Sequence, residues 1–379
     1  MLSGITILDM TTVIFGPYCT ATLAAMGAEV TKIEPATGDE ARRVGRPVKT
    51  RGMGPLHMTL NEGKKSVVLD LKSPNGKLAI AGLIRGSDVF IHSLRQPAVE
   101  RLGLDYPDAA RIRPDLVYVH CTGFGSDGPY AGRPAYDDII QAASGAASLL
   151  PRVDGDPRPR YLPTALADKV AGLHAVYAVL AALFHRERTG EGQRVEVPMF
   201  EAVTHFLLQE HLYGKTFVPP NGPIGYPRQL DADRQPMRTQ DGYISVAPYT
   251  DDRWVRFFDV TGNEDFLRAS GLETPRLRVD NLSILHAQMA KILAERPTAA
   301  WLALLAEHDI PAVQVSNLED LTADPHLEAV GFFQRKAHST EGEYVSMASP
   351  VRFSNPAKPM REPPSLGQHT NEVLRDLDL

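Results

Sequence analysis

The sequence predicts an α/β protein: a mostly parallel sheet with helices on both faces, then a second, smaller α/β domain. Three observations predict it. Short β-branched runs alternate with helical patterns through the first half of the 379-residue chain, which is the rhythm of βαβ units. Residues 215–236, with five prolines and two glycines, interrupt that rhythm. Beyond them the alternation resumes on a smaller scale.

The elements follow in order. "ITILDM" (5–10) reads as the first strand. Gly16-Pro17 then punctuates, and "YCTATLAAMG" reads as a helix with Pro17 in its first turn. "AEVTKIE" (28–34) and "SVVLDL" (66–71) are the second and third strands, and "NGKLAIAGLIRGS" is the helix that follows. "DVFIHSL" (88–94) and "LVYVHCTGF" (116–124) are the fourth and fifth strands. A long helix is expected from Asp168 to about Arg188, with Arg186 and Arg188 before Gly190 as helix C-termini favour. "QRVEVPM" (193–199) is a strand and residues 200–214 a helix. Past the break, "GYISVAP" is a strand, "DDRWVRFFDVTG" opens a capped helix, two helices part at Pro297, and "AVQVSN" closes with a strand. The expected organisation is a large domain over 1–214, a linker over 215–225, a small α/β domain over 226–325 and a C-terminal segment over 326–379. That last segment is extended and proline-rich, ends in a short helix, and is expected to return to the large domain.

The formal net charge of −6 gives no global attraction to nucleic acid or to an anionic membrane. Any anionic ligand must meet a local basic cluster. The two cysteines, Cys19 and Cys121, lie in no metal-ligand spacing. Their number fits a reducing cytoplasm, and buried packing is their expected role. "MLSGITILDM" lacks the basic and apolar regions of a signal peptide. The most apolar stretch, 165–184, is interrupted by Asp168, Lys169 and His174, so no membrane span is expected.

"GFGSDG" (123–128) matches the dinucleotide pattern G-x-G-x-x-G after a strand. That chemistry needs the loop to open directly into a helix whose N-terminus faces the pyrophosphate. Here "PYAGRPAYDD" intervenes, and the next helix begins no earlier than about Tyr136. A nicotinamide or flavin cofactor is therefore not expected. The loop still lies at a strand's carboxyl end, where open α/β sheets place ligands.

Several segments then combine: "LSGITILDM…GP" (2–17), "MGAEVTKIEPATGDEAR" (26–42), "NEGKKSVVLDLKSPNGK" (61–77), "ERLGLDY" (100–106), "RPDLVYVHCTGFGSDGPYAGRPAYDDIIQAASG" (113–145), "ADKVAG…ALFHRERTGEGQRVEV" (167–197) and "SLGQHTNEVL" (365–374). In this order and spacing they resemble the class III CoA-transferases, the group of formyl-CoA:oxalate and carnitine CoA-transferases. The α-methylacyl-CoA racemases share that fold. The resemblance implies a Rossmann-like large domain built from the N-terminal half and the C-terminal tail, and a small domain inserted between them. It also implies a homodimer in which two open rings interlock.

By the resemblance, the aspartate of "LADKVAG", Asp168, is the nucleophile. Read from pattern alone, Asp168 is an acid in the first turn of a helix, held ionised by free N–H groups and the helix dipole. The implied chemistry is covalent catalysis. The carboxylate attacks an acyl-CoA, passes through a mixed anhydride and an aspartyl-CoA thioester, and hands CoA to a second carboxylic acid. It calls for CoA thioesters as substrates and for no metal. The resemblance further implies that Leu69 to Lys72, Ser93, Leu94, Arg95, Arg101 and Arg133 to Tyr136 line the CoA site, with Phe15 and Pro35 near its entry and the adenine. Basic residues that could meet CoA phosphates are Arg42, Arg43, Arg46, Lys49 and Arg51 in one stretch, then Lys72, Arg95 and Arg101.

Racemisation on the same fold needs an acid and a base on opposite faces of the alpha carbon. The racemases carry a His-Asp pair where this chain has Tyr136-Asp137, and tyrosine is a poor base at neutrality. The sequence therefore favours transfer. A 2-methylacyl-CoA racemase or epimerase and a catalytically lapsed CoA-binding module are the alternatives. Two departures bear on the substrate. Ser93-Leu94 replaces the family's frequent asparagine-aromatic pair. The stretch 220–229 holds only Gly222 and Gly225 where oxalate-type enzymes carry a glycine-run lid.

Overall fold

A computed structural model describes residues 1–377; residues 378 and 379, at the end of the expected C-terminal segment, lie outside the described residues. The chain divides into two compact units. The first comprises Met1–Ser148, Arg160–Gln209 and Glu328–Leu379, and the second Leu149–Pro159 and Glu210–Leu327. The second unit thus takes in residues 149–159, which the sequence places in the large domain. It also takes in residues 210–225, read there as the end of a helix and a linker.

The first unit is built on six parallel strands: β1 (Thr6–Met10), β2 (Glu29–Glu34), β3 (Lys64–Val68), β4 (Val89–His92), β5 (Val117–Thr122) and β6 (Gln193–Pro198). Their order is β3-β2-β1-β4-β5-β6. It reverses between β1 and β4, and the crevice at that switch point is where such sheets take ligands. β4 and most of β5 are wholly buried, as strands covered on both faces must be.

β3 runs from Lys64 to Val68 rather than from Ser66 to Leu71. Lys64 is buried despite its charge, and an apolar count starts the strand past it. The tail covers the β3 edge. Thr370 Oγ1 accepts the Val68 N–H at 3.0 Å, His369 donates its N–H to the Ser66 carbonyl at 3.0 Å, and Val373 joins the core. An open edge is a template for unwanted pairing, so this cover closes it. The tail is not wholly extended. β10 (Phe333–His338) and β11 (Gly342–Met347) form an antiparallel hairpin turned at Gly342, whose φ is 87°.

The helix Leu166–Thr189 begins two residues earlier than expected and ends at Gly190 in the left-handed region. Its most apolar window has a mean hydropathy of 1.5, long and apolar enough to cross a membrane, which the sequence reading did not expect. Here it serves as a core helix packed on the helix Phe15–Ala25. Gly172 permits that packing, since a Cβ there would lie 3.0 Å from the Phe15 carbonyl and 2.9 Å from the Tyr18 ring.

The second unit holds a three-stranded antiparallel sheet of β7 (Met237–Arg238), β8 (Tyr243–Val246) and β9 (Ala312–Gln314). Its own core includes Trp254, Phe257, Phe258 and Trp301. The helices Leu282–Leu293 and Thr298–Glu307 part at Pro297, which takes the N-cap position of the second. Gly214 and Gly222 lie back to back, and a Cβ on Gly214 would come within 2.5 Å of the Gly222 backbone.

Candidate active site

The loops after β1, β4 and β5 border a cleft of about 470 Å³ at the carboxyl ends of the strands. Asp168, from the first turn of the helix Leu166–Thr189, lies in its wall with a relative exposure of 8%. Phe15, Ser93, Leu94, Arg95, Arg133 and Tyr136 share that lining. Arg95 and Arg133 are exposed, and Arg133 stacks over Tyr130 at 4.3 Å. Pro35, Leu69, Lys72 and Arg101 are not among the lining residues. Leu69 packs into the sheet's core. Pro35, Lys72 and Arg101 lie exposed elsewhere on the first unit.

Arg42 is buried rather than poised for phosphate. Its guanidinium forks onto Glu34, Nε to Oε1 and Nη2 to Oε2 at 2.7 Å each. It also donates to the Pro364 carbonyl of the tail at 3.2 Å. A bidentate pair of this kind fixes geometry and leaves little of the fork for a ligand.

Asp168 does not cap its own helix. Asp137, at the start of the helix Asp137–Ala143, does so. Its Oδ1 accepts the N–H groups of Ala167 at 2.6 Å and Asp168 at 3.1 Å. Gln141 holds Asp137 in turn, donating to its Oδ2 at 2.6 Å, and also binds the carbonyls of Leu162 and Thr164. The Asp168 carboxyl instead shares the cleft wall with Phe15, whose backbone N–H favours its charged form.

The consequence is electrostatic. Burial and the nearby Asp137 charge push the Asp168 carboxyl up to about 7, and the Phe15 N–H offsets only part of this. The expectation that a helix start keeps Asp168 fully ionised is therefore overturned. The N–H groups that would have held it ionised are taken by Asp137, and two carboxyls share one neighbourhood.

A pair of histidines that sequence reasoning did not single out fixes the β4 end of the cleft. His92 and His120 stack with centroids 4.6 Å apart. The Leu94 N–H donates to His92 Nδ1 at 3.2 Å, so His92 Nε2 carries the proton and donates to Tyr118 Oη at 2.7 Å. Tyr118 Oη then donates to the Leu104 carbonyl at 3.1 Å. His120 Nε2 donates to the Leu94 carbonyl at 3.0 Å. Leu94 is thus gripped at both its N–H and its C=O. Burial keeps both imidazoles below the ordinary histidine range. No sequence signal marks this pair beyond two histidines at paired positions on neighbouring strands.

The glycine loop 123–128 turns its amides to the protein's own carboxylates. The Gly125 N–H donates to Glu201 Oε1 at 3.0 Å and the Ser126 N–H to Glu196 Oε1 at 2.6 Å. A Cβ on Gly123 would meet that of Ala135 at 2.3 Å. These glycines serve close packing, and two anions occupy the place a phosphate would need.

The fold is an open parallel α/β sheet with a cleft at the carboxyl ends of its strands and a buried carboxyl in the cleft wall. The chain belongs to CoA-transferase family III, whose family model matches residues 2–370. It is 31% identical to the succinyl-CoA:glutarate CoA-transferase of Mus musculus over 99% of this chain and 86% of that protein. It is 30% identical to the formyl-CoA:oxalate CoA-transferase of Rhodopseudomonas palustris over 99% and 93%. A CAIB/BAIF family protein from Brucella suis superposes with a TM-score of 0.83 at 28% identity, over 100% of this chain and 99% of that one. A hypothetical protein from Mycobacterium tuberculosis gives 0.83 at 26% identity, over 98% of both.

Proposed function

We propose that this chain moves CoA from an acyl-CoA to a free carboxylic acid through covalent chemistry at Asp168. The observation that carries the proposal is a buried carboxyl in the cleft wall, with no cation beside it and with no capping duty toward its own helix. Such a group is less stabilised as an anion than a solvated one and is the stronger nucleophile for it. In its ionised form it attacks the thioester carbonyl, the C–S bond breaks, and CoA leaves as the thiolate. The product is an acyl–aspartyl anhydride. The thiolate then attacks the Asp168 carbonyl, expels the donor acid as its carboxylate, and forms an aspartyl-CoA thioester. An acceptor carboxylate repeats the two steps in reverse, takes the CoA, and restores Asp168. No electrons change hands. The start of the helix Phe15–Ala25 supplies main-chain dipole for each oxyanion. Arg95 and Arg133 are the cations proposed for the CoA phosphates, and the histidine-gripped Leu94 segment is one wall.

The test is Asp168→Ala in an assay of CoA transfer from succinyl-CoA to a panel of acids. Loss of turnover by about a thousandfold or more is expected, and near-normal transfer would end the proposal. Because attack needs the carboxylate, kcat/KM is expected to rise with pH through about 7 and level off above it.

A second copy of the chain belongs to this proposal. Leu173, Tyr177 and Phe184 stand exposed along one face of the helix Leu166–Thr189, at spacings that keep them in line. A stripe of this kind asks for a partner, and the interlocked dimer of the family would supply one. Light scattering of Tyr177→Asp should then show monomer where the parent shows dimer. The free, buried Cys19 and Cys121 suit the proposed cytoplasmic setting.

A racemase reading gains one observation. The cleft does hold an imidazole, His120. Incorporation of deuterium at the alpha carbon of a 2-methylacyl-CoA, with no acceptor acid present, would favour that reading over transfer.

A further inference from the structure

The loop between β1 and the helix Phe15–Ala25 forms one edge of the cleft, and it is bent into a conformation its sequence resists. Val13 has φ 66°. A β-branched residue in the left-handed region is strained, and such strain persists only where the surroundings over-determine it. Gly16 closes the same bend, since a Cβ there would come within 2.2 Å of Thr11 Cβ.

What holds the bend is a group of buried charges behind it. Lys32 Nζ donates to the Thr11 carbonyl at 2.7 Å and pairs with Asp39 Oδ2 at 2.9 Å. Asp39 Oδ1 accepts the Val13 N–H at 3.1 Å and the Ala41 N–H at 3.0 Å. Asp9 Oδ1 accepts the Thr11 N–H at 2.9 Å and its hydroxyl at 2.6 Å. Lys64 Nζ donates to the Pro17 carbonyl at 3.1 Å and to Asp9 Oδ2 at 3.3 Å. The side chains of Asp9, Lys32, Asp39 and Lys64 are all withdrawn from water. The bend is therefore gripped at Thr11, Val13 and Pro17, and two residues past Val13 Phe15 joins Asp168 in the lining of the cleft.

We infer that Asp39 and Lys32 are positioning residues: their buried pair holds Val13 left-handed and so keeps the Phe15 backbone in place beside the reacting carboxyl. The inference rests on Asp168 as the reacting group. It gives the buried charges a role in the chemistry of a cleft that neither side chain lines. Asp137 is the charged neighbour that acts on Asp168, and the other titratable or charged groups lining the cleft are Tyr136, His120, Cys121, Arg95 and Arg133. All of them are untouched by substitutions at 13 or 39.

The test compares the parent with Asp39→Asn, Val13→Gly and the double variant, using succinyl-CoA as donor and the best acid from a panel as acceptor. In Asp39→Asn, kcat should fall about tenfold to a hundredfold, as the Phe15 backbone moves from its place beside the carboxyl. KM for the acyl-CoA should stay within about threefold. The acid limb of kcat/KM should move to higher pH, because the Phe15 N–H then favours the charged form less. Adding Val13→Gly should recover most of that loss in kcat, because glycine adopts this φ freely and needs less holding. Unchanged kcat in Asp39→Asn, or a double variant no better than the single, would overturn the inference. If Asp39→Asn does not fold, Val13→Gly alone decides. Relief of strain should leave it melting at or above the parent, and a lower melting temperature would overturn the inference. Failure here with Asp168 still labelled by an acyl-CoA would leave the transfer mechanism standing. An unlabelled Asp168 would remove the mechanism itself.

Discussion

Two buried aspartates of the first unit, Asp9 and Asp168, sit in opposite electrostatic settings. Asp9 has both oxygens engaged, by the Thr11 amide and hydroxyl, by Thr20 and by Lys64. Burial alone would raise its pKa, but Lys64 and Lys32 override that and bring it down to about 2. Asp168 is almost as buried and faces a like charge, and its pKa rises to about 7. The difference teaches what burial does in each place. With cations beside it, a buried carboxylate is a fixed structural charge. Without them it is a titrating group near neutral pH, which is what general and covalent catalysis require.

The largest expected effect that sharpens this contrast is on activity. Asp168→Asn should cost about a thousandfold or more in kcat, whereas a substitution at Asp9 should act first on folding. Asp9→Asn leaves Lys64 and Lys32 short of a partner in the interior, and a loss of about 3–5 kcal/mol is expected in urea unfolding at pH 7. A loss below about 1 kcal/mol would break the comparison.

Next in size is the stability of Asp168→Asn. The folded parent holds a proton on Asp168 that the unfolded chain releases near its ordinary value of 3.8. The native state therefore binds more protons between pH 4 and 7, and stability drains from the parent as pH rises through that window. An amide in place of the carboxyl carries no such cost. The variant should match the parent at pH 4 and exceed it by roughly 2–4 kcal/mol at pH 8. Equal stability at both pH values would contradict the raised pKa.

The smallest expected effect belongs to Asp137. Asp137→Asn removes the like charge while an amide oxygen keeps the cap, so the acid limb of kcat/KM should move to lower pH. Helix stability should fall by about 1 kcal/mol or less. A limb that moved upward would mean that Asp137 serves Asp168 as a donor's partner and not as a repelling charge.

Much of this was legible in the sequence, and the exceptions have physical causes. β1, β4 and β5 were found because covered strands are apolar runs bounded by Gly, Pro and charge, and β2 and β6, which carry several polar residues, were found from their β-branched residues. β3 slipped because Lys64 is a lysine buried against Asp9, and no pattern marks a lysine as interior. The hairpin Phe333–His338 with Gly342–Met347 was missed because its residues are largely polar and it sits within a proline-rich tail. Arg42 was offered to CoA, yet its partner Glu34 lies eight positions away and is reached only through a turn. Asp168 was found through its resemblance to a family motif. Its pKa was not, because the residue that caps its helix is 31 positions upstream. Long-range pairs of this kind are set by tertiary structure, which a single sequence shows only where a motif records it.

The central claim is that Asp168 becomes covalently bonded during turnover. Incubating the protein with succinyl-CoA and hydroxylamine, then mapping peptides by mass spectrometry, tests it most directly. The account predicts a hydroxamate on Asp168, formed faster as pH rises through about 7 and absent when the acyl-CoA is omitted. Turnover with Asp168 unmodified, or a hydroxamate on another carboxylate, would contradict it.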